Sequence, residues 1–134
     1  MKKEYLKHKE PARVLVLSRL EYFKKFYAEH SYDFKVGRVS IRNQKTRWGS
    51  CSRRGDRLCN LNFNYRVALL PPVLCDYVVV HELCHIGQFN HSQKFWDLVA
   101  LAVPDYLQIR AELKKKSLRF GWKIFRGKIR LFKR

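Results

Sequence analysis

Acidic residues are scarce in this 134-residue chain: 11 Asp and Glu stand against 29 Lys and Arg, a formal net charge of +18. Long apolar runs are missing as well, and a bilayer-spanning helix needs roughly 20 consecutive apolar residues. The N-terminus, Met1-Lys2-Lys3-Glu4-Tyr5, leads into further charge and not into the apolar region of a secretory signal, so we expect a cytoplasmic protein. No Cys-x-x-Cys pair occurs among Cys51, Cys59, Cys75 and Cys84. That excludes a structural zinc ribbon and leaves four reduced, packed thiols. With 46% hydrophobic content, the length suits one compact domain and is too short for two comfortable ones.

What the chain does contain is His81-Glu82-Leu83-Cys84-His85, followed by His91. Two histidines four apart return to the same face of a helix, because each residue turns it by about 100°. Both imidazoles can then grip one metal ion. Glu82 follows the first of them directly, so its carboxylate projects beside the metal, where it can take a proton from an activated water. His91 supplies the third ligand that a catalytic zinc needs while leaving one position open. Chance also places His-Glu-x-x-His on ordinary helices, but the preceding Tyr77-Val78-Val79-Val80 argues against a solvated face. His8 and His30 sit among charged or polar neighbours and read as surface residues.

Other third ligands fit less well. The acids after Glu82 are Asp97, Asp105 and Glu112, and none lies in a convincing ligand motif. Metzincins place a third histidine at the spacing found here, yet they require Gly three residues after the second histidine, where this chain has Gln88, and a Met-turn, whereas the sole methionine is Met1. Cys84 lies about 100° around the helix from His85 and points toward the core.

The surrounding pattern predicts an α+β domain. Pro11 suits the first turn of a helix, and Ala12, Val16, Leu20, Phe23 and Tyr27 form its apolar stripe to about His30. Val36 to Arg42 alternates as a strand, with Val39 and Ile41 on one face. A polar loop from Asn43 to Asp56 follows, then a strand from Leu58 to Tyr65 whose outer face carries Asn60, Asn62 and Asn64. Pro71-Pro72 opens the metal helix. Its three valines alone favour a strand, but the histidine spacing and burial override a propensity of tenths of a kcal/mol. Ser92 caps a helix carrying Phe95, Trp96, Val99 and Val103 inward, Pro104 breaks it, and a last helix spans about Asp105 to Lys116.

We divide the chain into a domain at 1–116 and a basic aromatic tail at 117–134. From Leu113 to Arg134 there are ten Lys or Arg and no acid, interleaved with Phe120, Trp122, Phe125 and Phe132. Such a stretch offers both phosphate attraction and stacking surfaces, which points to nucleic acid. An anionic membrane surface would be served equally. A structural alternative pairs Leu118 to Phe125 with Lys128 to Phe132 as a hairpin around Arg126-Gly127.

Several motifs in order resemble the YgjP-like metallopeptidases, relatives of the SprT-like and WLM zinc peptidases. They are Lys45-Thr46-Arg47-Trp48-Gly49-Ser50-Cys51-Ser52, Asn60-Leu61-Asn62, Pro71, Asp76 through His85, and Asn90-His91-Ser92 with Phe95-Trp96. The resemblance covers about residues 10 to 110. It implies a minimal zincin-like fold: an N-terminal helix, a small mostly antiparallel sheet, the His-Glu-x-x-His helix and following C-terminal helices. It also implies zinc on His81, His85 and His91, with Glu82 as base. Compared with fuller members we expect no long N-terminal extension, and we expect none of the cysteine-rich ribbon of SprT-like proteins.

The reading is a zinc-dependent peptidase acting on protein or peptide substrates. Arg47, Tyr77 or Tyr106 are candidates for oxyanion stabilisation, and the Val36 to Arg42 strand or the loop after it is the candidate edge for peptide alignment. The alternatives are a basic nucleic-acid-binding module with structural zinc, or a nucleic-acid-tethered protease. Within the Arg47 to Cys51 loop, the structural reading has Gly49 permitting a tight backbone and Trp48 plugging the core.

Overall fold

The apolar stripe on the N-terminal segment forms one side of the core in the computed structural model, which describes residues 2–54 and 58–120. Ala12, Val16, Leu20, Phe23 and Tyr27 are all buried along helix α1, Lys2–Ala28. The helix starts well before the expected turn, with Pro11 inside it. Proline there forfeits one backbone hydrogen bond, but tertiary contacts hold the first turns in place. The Tyr5 hydroxyl donates to the Ile41 carbonyl at 3.0 Å, and its ring meets Tyr65 edge-on at 5.6 Å.

Three strands follow: β1 (Val36–Arg42), β2 (Gly49–Arg54) and β3 (Leu58–Asn64). The order is β1-β3-β2, with β1 parallel and β2 antiparallel to β3. The sheet is therefore mixed, one of its two pairings being parallel where a mostly antiparallel sheet was expected. β2 itself corrects the expected polar loop from Asn43 to Asp56. The physical reason lies in the crossing of residues 43–48 over the end of β3. Asn64, fully buried there, donates from its side-chain amide to the carbonyls of Gln44 and Arg47, both at 3.0 Å, and from its backbone to Trp48 O at 2.9 Å. That clamp carries the chain past β3 to its far edge. The other asparagines also tie neighbours: Asn60 Oδ1 accepts from Arg38 N at 2.8 Å, and Asn62 Nδ2 donates to Ser50 Oγ at 3.2 Å.

The expected last residue of the second strand, Tyr65, instead opens a 3-10 turn, Tyr65–Leu69, which Asn64 caps by accepting from Arg66 N. Helix α2 (Pro72–Cys84) then runs through the centre, packed against α1, β2, α3 (Gln93–Ala102) and α4 (Tyr106–Arg119). Its Val78, Val79 and Val80 are fully buried, so burial does outweigh their strand preference. Ser92 caps α3 by accepting from Phe95 N at 3.4 Å, as its position predicts.

α4 extends to Arg119, three residues beyond the boundary drawn from charge, and Ser117 within it is fully buried. Trp48, also fully buried, donates its indole N–H to Ser117 Oγ at 2.8 Å, tying the Arg47 to Cys51 segment to the end of α4. Leu118 and Arg119 are helical and Phe120 caps the helix, which removes them from the hairpin considered above; residues 121–134 of the basic aromatic tail lie outside the described residues. All four cysteines are free and buried. Among the described residues, no helix is long and apolar enough to cross a membrane.

Candidate metal centre

The C-terminal half of α2 carries the candidate residues, and its burial sets their chemistry. His81 and His85 share one face and are 1% and 3% exposed, while Glu82 is 0% exposed. His91 sits in the turn just before the Ser92 cap, so the start of α3 brings it back over α2. The imidazoles of His81 and His85 lie 4.9 Å apart between centroids, and His91 lies 5.1 Å from His81 and 4.7 Å from His85. One nitrogen from each of the three falls within 4.8 Å of the others, and His85 Nε2 is 3.1 Å from His91 Nε2. Two nitrogens on a tetrahedral zinc, each at about 2.0–2.1 Å, stand about 3.3 Å apart. The three histidines fit one such ion with little more than side-chain rotation.

Protonation favours the same use. Burial, the charges of His85 and His91, and Arg110 push His81 well below the ordinary imidazole range. Burial and His91 bring His85 down to about 4, although the carbonyls of Gln88 and Phe89 oppose the fall. Both rings are therefore neutral near pH 7, the state that offers a lone pair to a metal. His85 Nδ1 lies 3.2 Å from the Gln88 carbonyl, to which it donates in the tautomer that frees Nε2 toward His91.

Glu82 is the most exceptional group. Burial pushes its carboxyl well above the usual range, and neither oxygen has a hydrogen-bond partner among the described residues. Its Oε2 lies 3.5 Å from His81 Nδ1, a contact between two groups both driven toward neutrality and so weaker than an ion pair. A buried carboxyl of this kind lacks a cation, and a divalent ion among the three imidazoles would provide one.

Two supports of the site were not assigned from the sequence. Phe95, fully buried, touches all three histidines: it stacks on His85 at 4.4 Å and meets His81 and His91 at 5.0 Å each. It was expected to face inward, but nothing in its spacing shows that it forms the floor of the cluster. Gly49 is the second. A Cβ there would lie 2.9 Å from Glu82 Oε2, 3.0 Å from its Cγ and 3.1 Å from Asn62 O, so the first residue of β2 must be glycine for β2 to approach Glu82 so closely. A glycine beside a tryptophan in a polar segment is the only signal that points to it.

The other acids lie elsewhere in bonding terms. Asp97 accepts from Gln93 at 2.8 Å, Glu112 pairs with Lys115 at 3.4 Å, and Asp105 flanks the start of α4. Among the described residues, the one group of three or more potential ligands is His81, His85 and His91. Cys84 points into the core, as its helical angle requires, where its thiol lies 3.2 Å from the Tyr27 hydroxyl.

Residues 8–116 match the family described as YgjP-like, metallopeptidase domain. The chain belongs to the YgjP-like metallopeptidases. The match agrees with the motifs read from the sequence and extends slightly beyond them at both ends. As a YgjP-like protein it is a hydrolase whose family implies both a metal and a protein substrate. Its fold is also similar to that of the metallopeptidase zymogen abylysin from Pyrococcus abyssi, with a TM-score of 0.63 and 25% sequence identity over 75% of this chain and 93% of that one. No curated protein sequence matches it significantly.

Proposed function

We propose that this YgjP-like protein is a zinc-dependent peptidase that hydrolyses peptide bonds in protein substrates, with His81, His85 and His91 holding the metal and Glu82 as general base. The observation that carries this reading is the coincidence of three clustered imidazoles, two of them held neutral by burial, with a fully buried carboxyl one residue from the first of them. When bound, zinc supplies a Lewis acid that polarises the scissile carbonyl and acidifies water. Glu82 accepts a proton as water oxygen bonds to the carbonyl carbon. The same carboxyl then delivers that proton to the amide nitrogen as the C–N bond breaks, which returns Glu82 to its starting form.

The fold supports an alignment for the substrate. Of the two edge strands, β2 is the one that meets Glu82, through Gly49, and β1 packs toward α1. An extended peptide pairing with the outer edge of β2 brings its backbone past Glu82.

The test is cleavage of an unfolded protein such as casein before and after chelation. Activity lost with the metal and restored by stoichiometric zinc supports the assignment. Cleavage that persists in demonstrably metal-free protein refutes it.

Gly49→Ala tests the approach of β2 to Glu82. The added methyl forces a shift of the carboxylate or of the strand, and a misplacement on the order of 1 Å costs about 100-fold in rate. Overpacking costs about 1–3 kcal/mol of stability in addition. Steady-state kinetics with a thermal melt separates the two. Unchanged kcat would mean that Glu82 has room to spare.

A further inference from the structure

On the α4 side of the histidine cluster, the structure gathers groups that the mechanism above leaves unused. Tyr77 lies one turn before His81 on α2, fully buried, with its ring 5.9 Å from the imidazole. Trp96 lies 6.0 Å from His81 and 5.9 Å from His91, nearly parallel to the latter at 23°. Tyr106 stacks on Trp96 at 5.0 Å and 11°. Arg110, one turn along α4 from Tyr106, sets its guanidinium 5.6 Å from the centre of the same indole.

That guanidinium also faces the Tyr77 hydroxyl. Burial raises the phenol and the Arg110 charge opposes the rise, while the same charge disfavours a proton on His81. Arg110 takes part in none of the ion pairs among the described residues, and the residue is exposed. A permanent cation therefore stands next to the cluster, reachable from solvent and in no ion pair with a carboxylate among the described residues. It is placed over the face of the Trp96 ring, a contact that consumes none of the five donors of its planar fork.

We propose that Arg110 is a further catalytic residue: its guanidinium donates to the scissile carbonyl oxygen as that oxygen gains negative charge, with Tyr77 and Trp96 as positioning residues. The proposal rests on the hydrolase reading above. Arg110 transfers no proton. As water adds to the carbonyl carbon, the electron pair of the C=O bond moves onto oxygen, and a fixed cation lowers the energy of that charge more than that of the neutral substrate. Of the candidates weighed from the sequence, Tyr77 takes a supporting part and Tyr106 braces Trp96. Arg47 belongs to the segment clamped by Asn64, through its carbonyl. Arg110 itself was read only as part of a helix, because nothing in its spacing shows that α4 delivers it to His81.

The test uses the zinc-loaded full chain and its Arg110→Met, Arg110→Lys and Tyr77→Phe variants. Three quantities are read: zinc content, kcat and KM on one peptide, and the dissociation constant of a phosphinic peptide, whose tetrahedral anion mimics the charged oxygen. For Arg110→Met we expect unchanged zinc, KM within about threefold, and kcat lower by roughly 10²–10³. Phosphinate binding should weaken by a comparable factor, with Lys recovering part of both losses and Tyr77→Phe falling between. A parent that binds and cleaves, with Arg110→Met equal to it in both readouts, overturns the role of Arg110 alone. A parent that neither cleaves nor binds the phosphinate overturns the hydrolase reading and this proposal with it.

Discussion

Glu82→Gln is expected to abolish peptide cleavage while the protein keeps its metal and its fold. The substitution preserves shape and removes only the ability to take up and release a proton. Losing a general base costs roughly 10²–10⁴ in rate, and in the proposed mechanism the same group is also the acid toward the leaving amine. The fold should tolerate the change, because burial already drives this carboxyl toward its neutral form and no hydrogen bond to it is lost among the described residues. Metal content, melting temperature and kcat measured on one preparation decide the matter. A zinc-loaded Glu82→Gln protein with activity within about tenfold of the parent would remove Glu82 from the chemistry.

His81→Ala should strip the protein of its metal. Loss of a partner that merely supports a ligand costs roughly 10–100-fold in affinity, and loss of a ligand exceeds that. His81 is also among the largest fully buried side chains, in contact with Phe95 and Trp96, so its removal leaves a cavity worth on the order of 2–5 kcal/mol. The two effects separate in thermal melts with and without zinc. A ligand at 1,000 times its dissociation constant stabilises by about 4.1 kcal/mol, so the parent should melt several degrees higher with zinc. The variant should melt lower without zinc and gain nothing from it. An equal gain in both proteins would show that zinc sits elsewhere.

How much of this was legible before the structure depends on whether a residue acts through its own helix or through a partner far along the chain. The spacing of His81 and His85, the placement of His91 before the Ser92 cap and the inward turn of Cys84 are local consequences of helical periodicity. The core stripe from Ala12 to Tyr27 was equally plain. The strand β2 was not, because Gly49-Ser50-Cys51-Ser52 has no apolar alternation and becomes a strand by pairing with β3. The first turns of α1 depend on Tyr5 reaching Ile41, and the parallel pairing depends on the bonds of Asn64 to Gln44 and Arg47. Pro11 and the run of asparagines were visible, but contacts such as Tyr5 to Ile41, Asn60 to Arg38 and Asn64 to Gln44, 20 residues or more apart, decide their effect.

The site divides in the same way. The proposed ligands and base lie within eleven residues of sequence, His81 to His91, and the sequence alone was enough to propose them. The groups that shape their surroundings come from other elements: Gly49 from β2, Phe95 and Trp96 from α3, Arg110 from α4. A sequence shows which of these residues exist, and only the packing of α2 at the centre shows which of them stand beside the candidate site.

The most direct measurement of the central claim is X-ray absorption at the zinc edge on the purified, zinc-replete protein, with metal counted per chain. The account predicts one zinc bound by three histidine nitrogens at about 2.0–2.1 Å and one further oxygen, with no sulfur. Zinc with sulfur neighbours at about 2.3 Å, or a protein that fails to retain zinc at all, would contradict it.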